Sequence, residues 1–162
     1  MNKVLVIGCP GAGKSTFSRK LARKTGLPLH YLDMLWHRPD RTTVAPDEFD
    51  RNLQKIFTTD RWIIDGNYIR TLDMRLNECD TVFFFNLPID VCLAGVEARM
   101  GKPREDMPWT ENEWDEEFRQ WILDFPKDQL PLIRQLLESH KSNRRIIQFC
   151  SRQEADDFIN TL

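Results

Sequence analysis

The chain has 162 residues, of which 41% are hydrophobic and 30% are charged. This composition is typical of one folded domain and excludes a disordered chain or a disulfide-stapled miniprotein. The 23 basic and 25 acidic side chains give a net charge of −2, so no overall positive field attracts nucleic acid or an anionic membrane.

Apolar runs such as 4–7 and 82–85 are only a few residues long, far shorter than a bilayer span of about 20 residues. The run 4–7 is also too short for the core of a signal peptide. Four cysteines lie far apart without metal-ligand spacing, which predicts reduced, structural thiols in a cytoplasmic protein with no membrane segment. The sequence leaves the oligomeric state open.

Short β-branched runs alternate with segments of helical periodicity along the chain. The predicted strands are 3–7, 28–32, 61–65, 81–85 and 145–149, and the predicted helices are 14–25, 47–58, 71–78, 89–100, 111–125, 130–140 and 155–162. Strands separated by helices need crossover connections, which predicts an α/β fold with a five-stranded parallel sheet and helices on both faces. No repeat or flexible linker divides the chain, so we predict one domain spanning 1–162. Ligands of such sheets bind beyond the carboxyl ends of the strands.

The segment that follows the first strand carries a phosphate-binding motif. Residues 8–15 read Gly-Cys-Pro-Gly-Ala-Gly-Lys-Ser and satisfy GxxxxGK[ST] between a predicted strand and a predicted helix. In this motif the Lys14 ammonium reaches the β- and γ-phosphates and the Ser15 hydroxyl ligates Mg²⁺. The predicted ATP-binding residues are Gly8, Pro10, Gly11, Ala12, Gly13, Lys14, Ser15 and Thr16.

Motors, GTPases, regulators and small-molecule kinases all share this motif. The chain is short for an ATP-driven machine and has no NKxD-type motif for reading guanine. These two features favour a compact, P-loop kinase.

Two acidic residues follow predicted strands. Asp33 comes after the strand 28–32, and Asp65 ends the strand 61–65. Near a phosphate site, an aspartate can hold Mg²⁺ or orient an acceptor hydroxyl, although aspartate also caps helices and forms turns. Because Asn86 stands at the end of the fourth strand, we assign the metal role to Asp65.

A cationic segment with Gly and Pro follows the helix 89–100. Arg99, Lys102 and Arg104 have the composition of a hinged lid that stabilises transferring phosphoryl groups, and also that of a solvated loop. Arg70 is a candidate for gripping an acceptor phosphate, with a surface pair to Asp73 as the alternative.

Aromatic residues of the predicted helix 111–125 recur at helical spacing. This spacing predicts a face packed in the core rather than a base-stacking platform. The predicted face consists of Trp114, Phe118, Trp121, Ile122 and Phe125. Its acidic neighbours Asp115, Glu116 and Glu117 would repel a nucleic-acid backbone, so we expect no nucleic-acid partner.

Three segments together resemble adenylate kinase and its relatives. They are the loop 8–15, the segment 62–70 reading Trp-Ile-Ile-Asp-Gly-Asn-Tyr-Ile-Arg, and the segment 82–88 reading Val-Phe-Phe-Phe-Asn-Leu-Pro. The segments 32–36, 65–68 and 101–108 resemble more closely the adenylate-kinase-related proteins labelled DNA topology modulation proteins. The resemblance implies a nucleoside-monophosphate-kinase-like fold, an acceptor-binding insertion at about 33–60, a short lid at about 99–110, and Mg·ATP as phosphoryl donor.

The resemblance also implies roles for individual residues. Lys14 and Ser15 would serve the phosphates and Mg²⁺, Asp65 the metal shell, and Arg70 the acceptor. Arg99 and Arg104 would be the lid cations. Ser151 and Arg152 follow the fifth strand, where the family packs adenine.

The departures from adenylate kinase concern the acceptor. Adenylate kinases place an Arg soon after the second-strand Asp and a Pro-Arg after Asp-Gly, whereas this chain has Met34-Leu35-Trp36-His37 and Asn67-Tyr68. AMP therefore fits poorly, and Asp33 could act as base toward a hydroxyl acceptor, with Trp36 or Tyr68 stacking on it.

The sequence thus predicts ATP-dependent phosphoryl transfer to a small acceptor, a nucleotide or nucleoside. The alternatives are a kinase of a non-nucleotide metabolite, or a nucleotide-switched regulator associated with DNA or a protein partner.

Overall fold

A computed structural model describes all 162 residues of the chain. It contains five strands, eight α-helices and a 3₁₀ turn at Ile69–Thr71. The strands are β1 Lys3–Gly8, β2 Leu29–Tyr31, β3 Trp62–Asp65, β4 Thr81–Phe85 and β5 Arg145–Phe149. The helices are α1 Lys14–Thr25, α2 Leu32–Trp36, α3 Pro46–Phe57, α4 Leu72–Glu78, α5 Ile89–Arg99, α6 Glu116–Asp128, α7 Leu130–His140 and α8 Arg152–Asn160.

The five strands form one sheet in the order β2-β3-β1-β4-β5, and every neighbouring pair is parallel. The prediction of a five-stranded parallel α/β sheet is therefore confirmed. Because all strands run the same way, their carboxyl ends lie along one edge, and the segments after β1, β2 and β3 meet there.

The central strand is fully buried, with Val4–Ile7 at 0% exposure, as expected for a parallel strand covered on both faces. On one face, Phe17 of α1 packs edge-on against Phe83, Phe85 and Phe149, with ring centroids 4.8 to 5.4 Å apart. Helix α8 packs beside α1, and α4 contacts both β1 and α7. These contacts hold the strands whose carboxyl ends carry the phosphate motif.

Several predicted boundaries differ from the structure, and three of these differences are described here. The helix predicted over 111–125 begins only at Glu116, because the Asp115 carboxylate caps it by accepting the backbone N–H of Glu117 at 2.9 Å. The last helix begins at Arg152, three residues early, because the Ser151 hydroxyl accepts the N–H of Glu154. Strand β2 ends at Tyr31, so Asp33 lies in the first turn of α2 rather than in a loop.

All four cysteines are free; Cys9, Cys79 and Cys92 are buried and Cys150 is exposed. No helix combines the length and the apolarity needed to cross a bilayer.

Candidate active site

A cavity of about 710 Å³ opens at the carboxyl edge of the sheet. Its walls come from the phosphate loop after β1, the segment around α2, the loop after β3, the end of α5, and the segment that leads into α6. Eight predicted site residues line it together: Pro10, Lys14, Ser15, Asp33, Asp65, Tyr68, Arg99 and Arg104.

The phosphate loop adopts a conformation that requires glycine at two close contacts. Gly8 and Gly11 have φ angles of 142° and 80°, in the region that side chains disfavour. A methyl group on Gly8 would overlap the backbone of Phe85, and one on Gly11 would overlap the carbonyl of Cys92. The loop is therefore seated directly on β4 and α5, with Gly13 capping the N-terminus of α1.

Lys14, Ser15 and Asp65 meet at the inner end of the cavity. The Lys14 ammonium donates to the carbonyl of Cys9 at 3.0 Å, and burial lowers its pKa while the nearby Asp65 carboxylate opposes that shift. Burial raises the pKa of Asp65 to about 6, against the opposing effects of Lys14 and the Ser15 hydroxyl. Asp65 is 4% exposed, and its Oδ2 atom has no hydrogen-bond partner.

This donor set fits Mg²⁺ bound together with phosphate oxygens. Mg²⁺ usually takes one or two carboxylates and completes its shell with water and phosphate. The Ser15 hydroxyl and the unpartnered Asp65 oxygen are ligands of that kind, and no three His, Cys, Asp or Glu side chains form a protein-only metal cluster.

Asp33 lies in the same cavity and is oriented by Tyr68. The Tyr68 hydroxyl donates a hydrogen bond to the Oδ1 atom of Asp33 at 2.6 Å. The Oδ2 atom of Asp33 takes no part in this hydrogen bond. Burial, together with the Asp33 charge, raises the pKa of Tyr68, so the phenol keeps its proton and remains a donor.

Arg75 and Asn67, which the sequence analysis did not assign, hold the loop after β3. The fully buried Arg75 guanidinium donates to the carbonyls of Gly66, Asn67 and Tyr68. The Asn67 amide accepts the N–H of Gly8 at 2.9 Å and donates to its carbonyl at 2.5 Å. Burial lowers the pKa of Arg75 to about 9.

The predicted lid contributes two cations and one carboxylate. Arg104 donates to Asp106 at 2.8 Å and to Glu111 at 2.9 Å, and Arg99 lines the cavity with its Nε atom buried and unpartnered. Asp106 is 6% exposed and accepts the Ser15 hydroxyl at 3.3 Å. Lys102, the third predicted lid cation, is exposed and outside the cavity lining.

Trp36 and Arg70, both predicted to bind the acceptor, lie outside the main cavity. They line a separate hollow of about 240 Å³, where Trp36 packs against Phe49 and Tyr68 at centroid distances of 5.5 and 6.1 Å. Arg70 does not pair with Asp73, which contacts His140 instead. The Arg70 guanidinium donates to both carboxylate oxygens of Asp50, at 2.7 and 3.1 Å.

The remaining predicted nucleotide contacts lie around the loop rather than in the cavity. Thr16 is exposed and accepts a hydrogen bond from Arg19 at 3.3 Å, and Ser151 caps α8. Arg152 donates to the carbonyl of Gly11 at 2.8 Å, and its side chain lies beside Gly13. Arg152 therefore supports the phosphate loop from outside.

The aromatic face predicted to lie in the core divides into two parts. Ile122 and Phe125 are buried, as predicted. Trp114, Phe118 and Trp121 line the cavity, together with Trp109. Trp114 and Phe118 are half-buried and also pack against the core, so the prediction of core packing is confirmed in part for them. It is wrong for Trp121, which is 37% exposed.

The parallel sheet, the phosphate loop and the main cavity at the strand ends define a P-loop fold of the adenylate-kinase-like type. No protein-family model matches the chain, and no curated protein sequence matches it. The resemblance to DNA topology modulation proteins is therefore not supported by a sequence match.

Solved structures of P-loop kinases share the fold over nearly the whole chain. Shikimate kinase from Bacteroides thetaiotaomicron superposes with a TM-score of 0.62 at 18% identity, covering 98% of this chain and 94% of that one. Shikimate kinase from Acinetobacter baumannii, solved in complex with shikimate, gives 0.63 at 18% identity, covering 99% and 92%. A gluconokinase from Sinorhizobium meliloti 1021 gives 0.54 at 15% identity, covering 98% and 87%.

Proposed function

We propose that the protein transfers the γ-phosphoryl group of ATP to a hydroxyl group of a small acceptor. The observation that carries this proposal is the meeting of Lys14, Asp33 and Asp65 in one cavity with the two arginines of the segment 99–110. Phosphoryl transfer requires positioning and charge stabilisation more than covalent chemistry from the protein, and these residues supply both. The kinase activities named for the fold neighbours are consistent with it.

The donor half of the site is the phosphate loop. Its backbone N–H groups and the N-terminus of α1 attract the phosphates of ATP, and Lys14 supplies a positive charge beside them. Ser15 and Asp65 would hold Mg²⁺, which neutralises phosphate charge when bound. Arg152 braces the loop through Gly11.

The acceptor half centres on Asp33. Its Oδ1 atom is occupied by the Tyr68 hydroxyl, so its Oδ2 atom accepts the proton of the acceptor hydroxyl as that oxygen bonds to the γ-phosphorus. The bond from the γ-phosphorus to the β,γ-bridging oxygen breaks, and ADP leaves. Arg99 and Arg104 stabilise the negative charge that spreads over the transferring group. The segment around 99–110 closes this part of the cavity and limits the access of water to the phosphoryl group.

The predicted acceptors were a nucleotide or a nucleoside. Arg70, the candidate for gripping an acceptor phosphate, is held by Asp50 outside the cavity, which weakens the case for a nucleotide. The proposal therefore keeps a nucleoside or another small hydroxylated metabolite as acceptor.

The test is ADP release from Mg·ATP by the wild type and by Lys14→Ala, with panels of nucleosides, nucleoside monophosphates and hydroxylated metabolites. We expect one acceptor class to raise turnover far above background in the wild type and not in Lys14→Ala. Lys20→Ala is the matched control, since Lys20 is a half-exposed lysine of the same helix that pairs with Asp156. Background ATPase with every acceptor, despite ATP binding, would contradict the proposal and favour a nucleotide-switched regulator.

A further inference from the structure

The outer wall of the cavity is aromatic. Trp109, Trp114, Phe118 and Trp121 all line it, and the Phe118 and Trp121 rings are nearly parallel, with an angle of 12° between their planes. Trp121 is 37% exposed, so part of its ring is open to a ligand. A wall of this kind matches the flat face of a ring compound.

The cations of the cavity are concentrated at its phosphate end. Lys14 belongs to the phosphate loop, and Arg104 is tied through Asp106 to the Ser15 hydroxyl. Burial lowers the pKa of Arg99, and the positive charge of Arg104 lowers it further. The second effect arises because the two guanidinium groups are close together. These three cations are therefore positioned for the phosphates of ATP.

The acceptor end has one remaining cation, Arg41. Its guanidinium carbon lies 5.4 Å from the centroid of the Trp109 ring, and Trp109 also contacts the His37 ring at 5.1 Å. Arg41 thus packs against the aromatic wall, with its charge on the face of an indole.

The carboxylates of the acceptor end form no salt bridges, although Asp33 is near enough to Lys14, Arg99 and Arg104 to interact with their charges. Asp33, Glu113 and Asp115 line the cavity, and none of them forms a salt bridge with Lys, Arg or His. Asp115 accepts only backbone N–H groups as the cap of α6. When the phosphates of ATP engage Lys14, Arg99 and Arg104, an anionic acceptor would face three carboxylates and one remaining arginine, and like charges placed together disfavour binding.

We propose, building on the phosphoryl-transfer function above, that the acceptor is a ring-bearing alcohol without an anionic group. Its ring packs on the aromatic wall, its hydroxyl reaches Asp33, and its remaining surface is neutral or positively charged. A nucleoside belongs to this class. A nucleoside monophosphate, shikimate and gluconate, which carry phosphate or carboxylate groups, do not belong to it.

The charge preference can be measured by binding alone, with three probes that share one ring. Benzylamine, benzyl alcohol and benzoate carry charges of +1, 0 and −1, and their binding is followed by quenching of tryptophan fluorescence with Mg²⁺ and a non-hydrolysable ATP analogue present. We expect benzoate to bind at least about tenfold more weakly than the other two, which corresponds to about 1.4 kcal/mol. Benzoate binding within tenfold of either of the others, or no binding by any of the three, overturns the proposal.

Two substitutions and one control substitution identify the source of the preference. Glu113→Gln should narrow the gap between benzylamine and benzoate, while Glu116→Gln, at an exposed position outside the cavity lining, should leave it unchanged. Arg41→Gln should not weaken benzylamine. A loss of all probe binding in Arg41→Gln would instead identify Arg41 as the main anchor of the ligand and contradict the role given to the carboxylates.

Turnover separates this proposal from the kinase function on which it rests. Phosphorylation of a nucleoside or a ring-bearing amino alcohol supports both. Phosphorylation of shikimate, gluconate or a nucleoside monophosphate in preference to uncharged alcohols supports the kinase function and overturns the acceptor class. If no alcohol raises ADP release above the Lys14→Ala background, the kinase function fails, and the benzyl series still decides the charge preference of the cavity.

Discussion

Replacing Asp65 with asparagine should stabilise the nucleotide-free protein while impairing its use of Mg²⁺. The Asp65 carboxyl is almost completely buried and one of its oxygens is unpartnered, so the folded protein bears the cost of ionising it. Asparagine has nearly the same shape and no charge, and it removes this cost.

The magnitude follows from the pKa. Burial raises the pKa of Asp65 from 3.8 to about 6, so between these two pH values the folded state keeps a proton that the unfolded state has released. Stability of the wild type therefore falls as pH rises through this window and remains reduced above it. At about 1.4 kcal/mol per pH unit, the difference reaches about 3 kcal/mol at neutral pH, or roughly 6 to 12 °C in Tm for a domain of this size.

The assay is thermal and urea unfolding of the wild type and Asp65→Asn from pH 4 to pH 8. The two proteins should be equally stable near pH 4 and diverge toward pH 7, with the variant more stable. Mg²⁺ with an ATP analogue should stabilise the wild type more than the variant, and the Mg²⁺ concentration for half-maximal activity should rise roughly 10- to 100-fold in the variant.

Asp80→Asn is the matched control with the opposite sign. Although burial acts in the other direction, hydrogen bonds from the Thr81 hydroxyl and from the backbone N–H groups of Lys3 and Asn2 hold the pKa of Asp80 below its usual value. Its substitution should lower stability at neutral pH, and the loss should vanish at acid pH. An Asp65→Asn protein that is less stable than the wild type at pH 7 would refute the reasoning about the buried charge.

Three further substitutions test the supports of the site. Tyr68→Phe should lower kcat about tenfold with little change in KM, since Asp33 loses the hydrogen bond that orients it; an unchanged kcat in steady-state kinetics would contradict this role. Arg75→Met should lower the free energy of unfolding by about 3 kcal/mol in urea titrations, because buried carbonyls of the loop after β3 lose their donor, and a loss below about 1 kcal/mol would argue against it. Gly11→Ala should abolish ATP binding by calorimetry, because its methyl group would overlap a carbonyl of α5, whereas Gly26→Ala, also at positive φ but in open space, should retain it.

The sheet and the phosphate loop were predictable from the sequence because both are encoded locally. A buried parallel strand is a short apolar run, as in Val4–Ile7, and the loop motif combines glycines with Lys14 at fixed spacing. The carboxylates at the ends of β2 and β3 followed from the general geometry of parallel sheets, and both line the cavity.

The partners and the burial of charged side chains were not predictable, because both depend on tertiary distances. Arg70 binds Asp50, twenty residues away, rather than the nearby Asp73. Glu105 and Asp106 are adjacent in one charged loop, yet the Glu105 side chain is 63% exposed and that of Asp106 is 9% exposed. Nothing in the local sequence separates these two carboxylates.

The aromatic wall was missed for a different reason. Helical spacing of apolar residues indicates a face that avoids solvent, and it does not distinguish a core from a ligand cavity. The cap at Asp115, which delays the start of α6, could have been recognised as an N-cap signal before Glu116 and Glu117.

The paired hydrogen bonds between Asn67 and Gly8 join the two halves of the cavity mechanically. The Asn67 amide satisfies both backbone groups of Gly8, so it joins the loop after β3 to the last residue of β1, two residues beyond the final registered pair of Val6 with Asp65. Any displacement of the loop that carries Tyr68 is thereby transmitted to the first residue of the phosphate loop. We therefore expect an acceptor bound beside Tyr68 to change the affinity for ATP, and thermodynamic linkage requires ATP to change the affinity for the acceptor by the same factor.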